Sequence, residues 1–106
     1  DWRDDYRGTN AFAMNRRLTQ ERGEDILTMA EDEQFSAVNV STAISQLAKR
    51  SRGGERLDPQ DPRWRAVEEW VRRRAGQWEP RQASAALHGY ASLLKQGALA
   101  FEGIPV

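Results

Sequence analysis

The sequence predicts an all-α fold made of antiparallel helix-pair repeats stacked as a short α-solenoid, and three observations predict it. Apolar residues recur at helical spacing instead of alternating, which makes one side of each segment a buried face. Two segments, 34–48 and 82–94, contain no Asp, Glu, Lys or Arg, in a chain where 30% of residues are charged. These segments superpose at an offset of 43 residues, with Phe35 on Trp78, Asn39 on Gln82, Ser41 on Ser84, Ala43 on Ala86, Ile44 on Leu87 and Ala48 on Ala91. A period of that size marks an array in which each unit covers its apolar face with its neighbours.

The elements follow in order. Residues 1–10 mix Trp2 and Tyr6 with charges and show no period, so they read as an irregular arm. Ala11, Met14 and Leu18 then predict a short helix, with Thr9 or Asn10 as N-cap and Gly23 as its stop. Ile26, Leu27 and Ala30 form the apolar side of a helix over about 24–33, opened by Glu24 and Asp25 at the positive end of its dipole. The run Glu31, Asp32, Glu33 opposes the dipole, which places the helix end near Asp32 or a basic partner close by. Ser36 is a good N-cap for a helix whose apolar positions Val40, Ala43, Ile44, Leu47 and Ala48 follow without a gap, finished by Lys49 and Arg50. Residues 51–62 hold two Gly and two Pro and read as a loop.

Asp61 and Pro62 make an N-cap and first-turn pair for a helix with Trp64, Val67 and Val71 on one stripe and Trp70 beside it, ended by Gly76. The last helix opens at Glu79 and Pro80, presents the stripe Ala83, Ala86, Leu87, Tyr90, Ala91 and Leu94, and closes at Gly97. The division is thus an arm and short helix (1–23), a first helix pair (24–50), a loop (51–61), a second pair (62–97) and a tail (98–106) that caps the stack. The chain opens at Asp1 in place of Met, which predicts a processed product or an excerpt of something longer.

Composition narrows the function classes. The hydrophobic fraction is 39% and the mean hydropathy -0.81, so the chain folds only because its apolar residues are gathered on helix faces. Lys plus Arg balance Asp plus Glu at 16 each, leaving no net field toward nucleic acid or an anionic membrane. The absence of Cys removes disulfides, thiolate catalysis and zinc-thiolate sites, and suits a reducing compartment. With His88 as the one imidazole, His-rich metal sites are excluded too. No apolar run approaches the roughly 18 residues of a transmembrane helix. The expectation is a protein that is not an enzyme, with no catalytic residue, cofactor, metal or small-molecule substrate.

The stretch 35–49 resembles the second-helix signature of octotricopeptide-type repeats and the related FAST-kinase-like helical repeats of organelle RNA-binding proteins. The pattern Asn-x-x-Thr-Ala-x-x-x-Leu-Ala-Lys is read here as Asn39, Thr42, Ala43, Leu47, Ala48 and Lys49, preceded by a more acidic helix. The second copy, 78–94, is similar to the variant ending Tyr-Ala-x-Leu, here Tyr90, Ala91 and Leu93. This resemblance implies a right-handed stack of helix pairs, residence in a chloroplast or mitochondrion, and a role in the processing, stability or translation of transcripts. Such arrays read about one base per repeat, so two repeats cannot specify a transcript. The alternative is a small accessory or scaffold subunit docked onto a large organelle assembly, such as a ribosome or a photosynthetic or respiratory membrane complex, where contact with the membrane complex is peripheral.

The candidate partner-binding residues follow from these readings. Lys49, Arg50 and Arg52, and Arg72, Arg73 and Arg74, lie at equivalent ends of successive helices, where a stack aligns them as a strip for phosphates. Equally, cations at helix C-termini complement the dipole and keep the surface soluble. Asn39, Thr42, Ser45 and Gln46 in one copy, with Gln82, His88 and Gly89 in the other, belong to the polar side of the charge-free segments, which either meets a ligand or is covered by neighbouring helices. His88 stands apart from any carboxylate and reads as a solvent-facing residue. Trp64, Trp70 and Trp78 read as inter-repeat fillers, with base stacking the competing role.

Overall fold

The computed structural model describes residues 10–98. They form α1 (Asn10–Gln20), α2 (Gly23–Asp32), α3 (Ala37–Arg52), α4 (Trp64–Arg74), a 3-10 turn (Ala75–Gln77) and α5 (Pro80–Lys95), with no strand among the described residues. The all-α expectation therefore holds. The expected arm and capping tail lie outside the described residues apart from Asn10 and Ala98. Helix α3 is the centre of the packing, set against α5 and α1, while α2 packs on α4 and both touch α3. Leu18, Ile26, Leu27, Phe35, Ile44, Leu47 and Leu93 are fully buried in one cluster drawn from α1, α2, α3, α5 and the α2–α3 connection.

The two helices that contain the charge-free segments begin alike. Ser36 Oγ accepts the Asn39 N–H at 3.2 Å and Asn39 Oδ1 accepts the Ser36 N–H at 3.0 Å, a reciprocal capping box. The same box recurs at Glu79, whose N–H donates to Gln82 Oε1 at 3.0 Å, with Pro80 supplying the first turn. Trp78 takes the place of Phe35 and donates from Nε1 to Ala37 O at 2.9 Å, tying the start of α5 to the start of α3. Trp70 Nε1 donates to Ala30 O at 2.8 Å and so joins α4 to α2. Each Trp carries a large apolar ring into the core and satisfies its one donor there. Helix α2 ends at Asp32, and Glu33 beyond it pairs with Arg17 of α1 at 3.2 Å, so both resolutions of the dipole conflict are present.

Gly23 does not stop α1; it is the first residue of α2 and is buried. The reason is a distant carboxylate. Glu55, from the loop after α3, accepts the N–H groups of Gly23 and Glu24 at 2.9 Å each, and a Cβ on Gly23 would stand 2.9 Å from Glu55 Oε2. A capping group supplied from 31 or 32 residues away is invisible to local sequence rules. Glu55→Ala is expected to lower stability by about 1–2 kcal/mol, read by urea unfolding, because two N-terminal donors of α2 lose their acceptor. An unchanged midpoint would show that water replaces the carboxylate at no cost.

Helix α4 also begins later than the Asp61–Pro62 pair predicts. Asp61 accepts the Arg63 N–H at 2.9 Å, and the bonds Trp64 N–H to Asp61 O, Arg65 N–H to Pro62 O and Ala66 N–H to Arg63 O, each 3.1 Å, wind a tight entry turn before the regular helix. At its other end α4 stops at Arg74, and Gly76 lies within the 3-10 turn that follows.

The largest correction concerns the face of α5. Ala86, Gly89 and Leu93 are the buried residues, whereas Leu87 and Ala91 of the expected apolar stripe are exposed. Both sets obey helical spacing, and close approach decides between them. A Cβ on Gly89 would meet Ile44 Cγ2 at 2.7 Å and the Ile44 carbonyl oxygen at 3.1 Å, so α3 fits against α5 only along the side that has no side chain there. Ser41 Oγ donates to Gln82 O at 3.0 Å across the same contact.

Candidate functional site

The outer side of α5 follows from that rotation. Turning Ala86, Gly89 and Leu93 onto α3 leaves Pro80, Ala83, Ser84, Leu87, His88 and Ala91 around a groove of about 510 Å³. Leu87 is 68% exposed, the one large apolar side chain so placed among the described residues. The 43-residue offset gives this face a counterpart. Leu87 corresponds to Ile44, Ser84 to Ser41 and Ala91 to Ala48, and all three counterparts are buried. Ser41 and Ile44 are buried because α5 lies on them. What α3 buries under α5, α5 presents.

The charge on this helix is one-sided. Between Pro80 and Lys95 there is no acidic residue, and Arg81, His88 and Lys95 stand seven residues apart. That spacing puts them on one edge of the helix, about 10 Å from one to the next. All three are exposed, and their side chains have no hydrogen-bonding or ionic partner among the described residues. Of this face only His88, and Gln82 at its inner edge, were among the candidates. The signal for the rest was the seven-residue spacing of basic side chains in a helix without acids.

The predicted binding residues are placed as follows. Asn39 is 1% exposed; besides its cap it donates from Nδ2 to Ala11 O and Asn15 Oδ1, both at 2.9 Å, which anchors α3 to α1. Gln82 caps α5 with its side chain and receives Ser41 with its carbonyl. Thr42 and Gln46 are half-buried, and Gln46 Oε1 is buried without a hydrogen-bond partner. Arg50 donates to Glu21 O at 3.0 Å and Thr19 O at 2.9 Å, closing the C-terminal end of α1. Arg52 reaches Ser92 Oγ at 3.0 Å, and Lys49 is exposed. Arg74 donates from Nε to Phe35 O at 3.0 Å, and with Arg73 places its guanidinium about 5.5 Å from the Trp70 ring centre. Arg72 and Arg73 pair with Glu69 at 3.6 and 3.1 Å as exposed neighbours on α4.

These placements separate the two basic clusters. Arg74 sits against Phe35, before the first turn of α3, whereas Arg50 and Arg52 belong to its last turn. A helix of 16 residues spans about 24 Å, so the clusters lie at opposite ends of α3 and not in the aligned strip expected from their sequence positions.

Other chemistry is sparse. A groove of about 590 Å³ bordered by α1 and the α2–α3 connection includes Arg17 and Glu33, which bond each other. The Tyr90 hydroxyl is buried without a partner, and burial, then the Glu68 carboxylate, push its pKa above the ordinary tyrosine range. Among the described residues no group of His, Cys, Asp or Glu is arranged to hold a metal ion, and no helix is long and apolar enough to cross a membrane. Comparison with known proteins returned no matching family model, no matching curated protein and no matching solved structure.

Proposed function

We propose that this chain is a non-catalytic helical-repeat module that docks onto another protein, as an accessory subunit does, through the outer face of α5. In this reading α2 with α3 and α4 with α5 are consecutive helix pairs. The recurrent capping boxes and the packing of α3 on α5 and α2 on α4 support it. The observation that carries it is Leu87, two-thirds exposed at the position where Ile44 is covered. Covering Leu87 would contribute about 1–2 kcal/mol to association.

RNA binding in an organelle, as the octotricopeptide-type resemblance implies, is the second reading. The exposed Lys49, Arg72 and Arg73 favour it. Against it, Asn39, Arg50 and Arg74 already hold the fold together, and the clusters are a helix length apart.

A salt titration with mixed-sequence RNA separates the two. Docking predicts no binding near physiological salt, and Leu87→Asp is expected to leave the unfolding midpoint within about 0.5 kcal/mol of wild type while removing photo-crosslinks formed from position 84 in cell extract. A steep salt slope abolished by replacing Arg72, Arg73 and Arg74 with Gln would establish RNA as the partner.

A further inference from the structure

We propose that the occupant of the α5 outer face is an acidic amphipathic helix of a partner protein, its apolar seam over Leu87 and its carboxylates along Arg81, His88 and Lys95. This rests on the docking reading above and names the chemistry of the partner. The face continues an interface already present in the chain. At the offset of 43 residues, Arg81, His88 and Lys95 correspond to Val38, Ser45 and Arg52 of α3. Val38 and Ser45 are half-buried, and Arg52 reaches across to Ser92 of α5. A helix lying on α5 as α5 lies on α3 runs along the edge that carries Arg81, His88 and Lys95. Ala83, Ser84 and Ala91 around Leu87 keep that approach close, as small residues do at helix contacts.

The same correspondence distinguishes the occupant from α5 itself. Where α3 has the uncharged Val38 and Ser45 along the corresponding edge, α5 has Arg81 and His88, and it has no acid of its own to answer them. Opposite charge along that edge is what a specific partner supplies, and it also sets the register, since a seven-residue row matches carboxylates at the same interval. A second copy pairing its α5 with this one does not supply it. In a two-fold antiparallel pairing of α5 with α5 the cationic edges of the two helices meet on the same side, so like charges face each other.

The test uses synthetic helical peptides with an Ala/Leu seam, one carrying Glu at every seventh position and one carrying Lys there, titrated against the whole chain by fluorescence anisotropy. The Glu peptide is expected to bind roughly tenfold more tightly than the Lys peptide. Combining Arg81→Glu with Lys95→Glu should reverse the order, Leu87→Asp should abolish both interactions, and Arg72→Glu with Arg73→Glu should change neither. Equal binding of the two peptides, or a preference that survives the α5 charge reversal, overturns the acidic partner while leaving Leu87-dependent crosslinking, and so docking, intact. Peptide binding that ignores Leu87→Asp removes the docking site as well. Displacement of the peptide by a second copy of the chain, seen as a dimer in sedimentation, replaces the proposed occupant by self-association.

Discussion

Gly89→Val is expected to lower the melting temperature by roughly 15 °C, equivalent to about 3 kcal/mol in a chain of this size. Two effects oppose each other. Any side chain at a mid-helix glycine reduces the entropy lost on folding, a gain below about 1 kcal/mol, and valine, a modest helix former, gains less than alanine. Against this, a Cβ at Gly89 falls 2.7 Å from Ile44 Cγ2 and 3.1 Å from the Ile44 carbonyl oxygen, and the branched methyl groups go further. Ile44 could turn away; its backbone carbonyl cannot, so α5 must move off α3. That contact includes Ile44, Ala86 and Leu93, each 1% exposed or less, and the Ser41 to Gln82 hydrogen bond. Overpacking wins. Adding Ile44→Ala to Gly89→Val should recover part of the loss, because it removes the side-chain clash and leaves the carbonyl clash. A Gly89→Val protein that melts with the wild type would mean that the helices are not in close contact at this point.

Arg63→Met is expected to cost about 2–3 kcal/mol at neutral pH, measured by urea unfolding, through the ties it makes between α2 and the entry turn of α4. Its guanidinium, with the side chain 22% exposed, donates to Glu24 O at 2.9 Å, Thr28 Oγ1 at 2.8 Å and Asp61 Oδ2 at 2.6 Å, and it also pairs with the Glu24 carboxylate. Removing it strands two carboxylates and a carbonyl. The same contact makes stability depend on acid. The hydrogen bond from Arg63 holds the Asp61 pKa below the usual carboxylate value, outweighing the opposite pull of burial. A carboxyl whose folded pKa is below its unfolded one stabilises fully above the unfolded value, about 4, and loses that contribution as pH falls through the folded value. Asp61→Asn should therefore flatten the stability curve below about pH 4 and lower the plateau above it. A curve that keeps its full acid limb in Asp61→Asn would move the pH dependence to other carboxylates.

Much of this was legible locally. Ser36 marks a helix start because its hydroxyl reaches the backbone three residues on, and Glu79 with Pro80 marks another; that Asn39 and Gln82 close these caps came from the structure. Ile26, Leu27 and Leu47 were legible as core from their helical spacing, whereas Trp70 stood beside the expected stripe of its helix and is buried in place of Val71. The candidate surface was not. Asn39, Arg50 and Arg74 are the residue types that bind partners, yet each is occupied by a carbonyl brought close only by folding, Ala11, Glu21 and Phe35 respectively. Leu87 reads as core by its spacing and is exposed, because spacing alone did not decide which stripe of α5 turns inward.

The sequence by itself determined the helices and most of their limits, since these depend on periodicity and on side chains reaching their own backbone. Only the tertiary structure decided that Gly23 begins a helix, that the basic clusters lie at opposite ends of α3, and that no described residue covers the apolar, base-edged face of α5. The physical reason is range. Capping and amphipathic spacing act over a few residues, whereas the Glu55 cap and the Ile44–Gly89 contact join positions 31 or more residues apart, which nothing but packing can bring together.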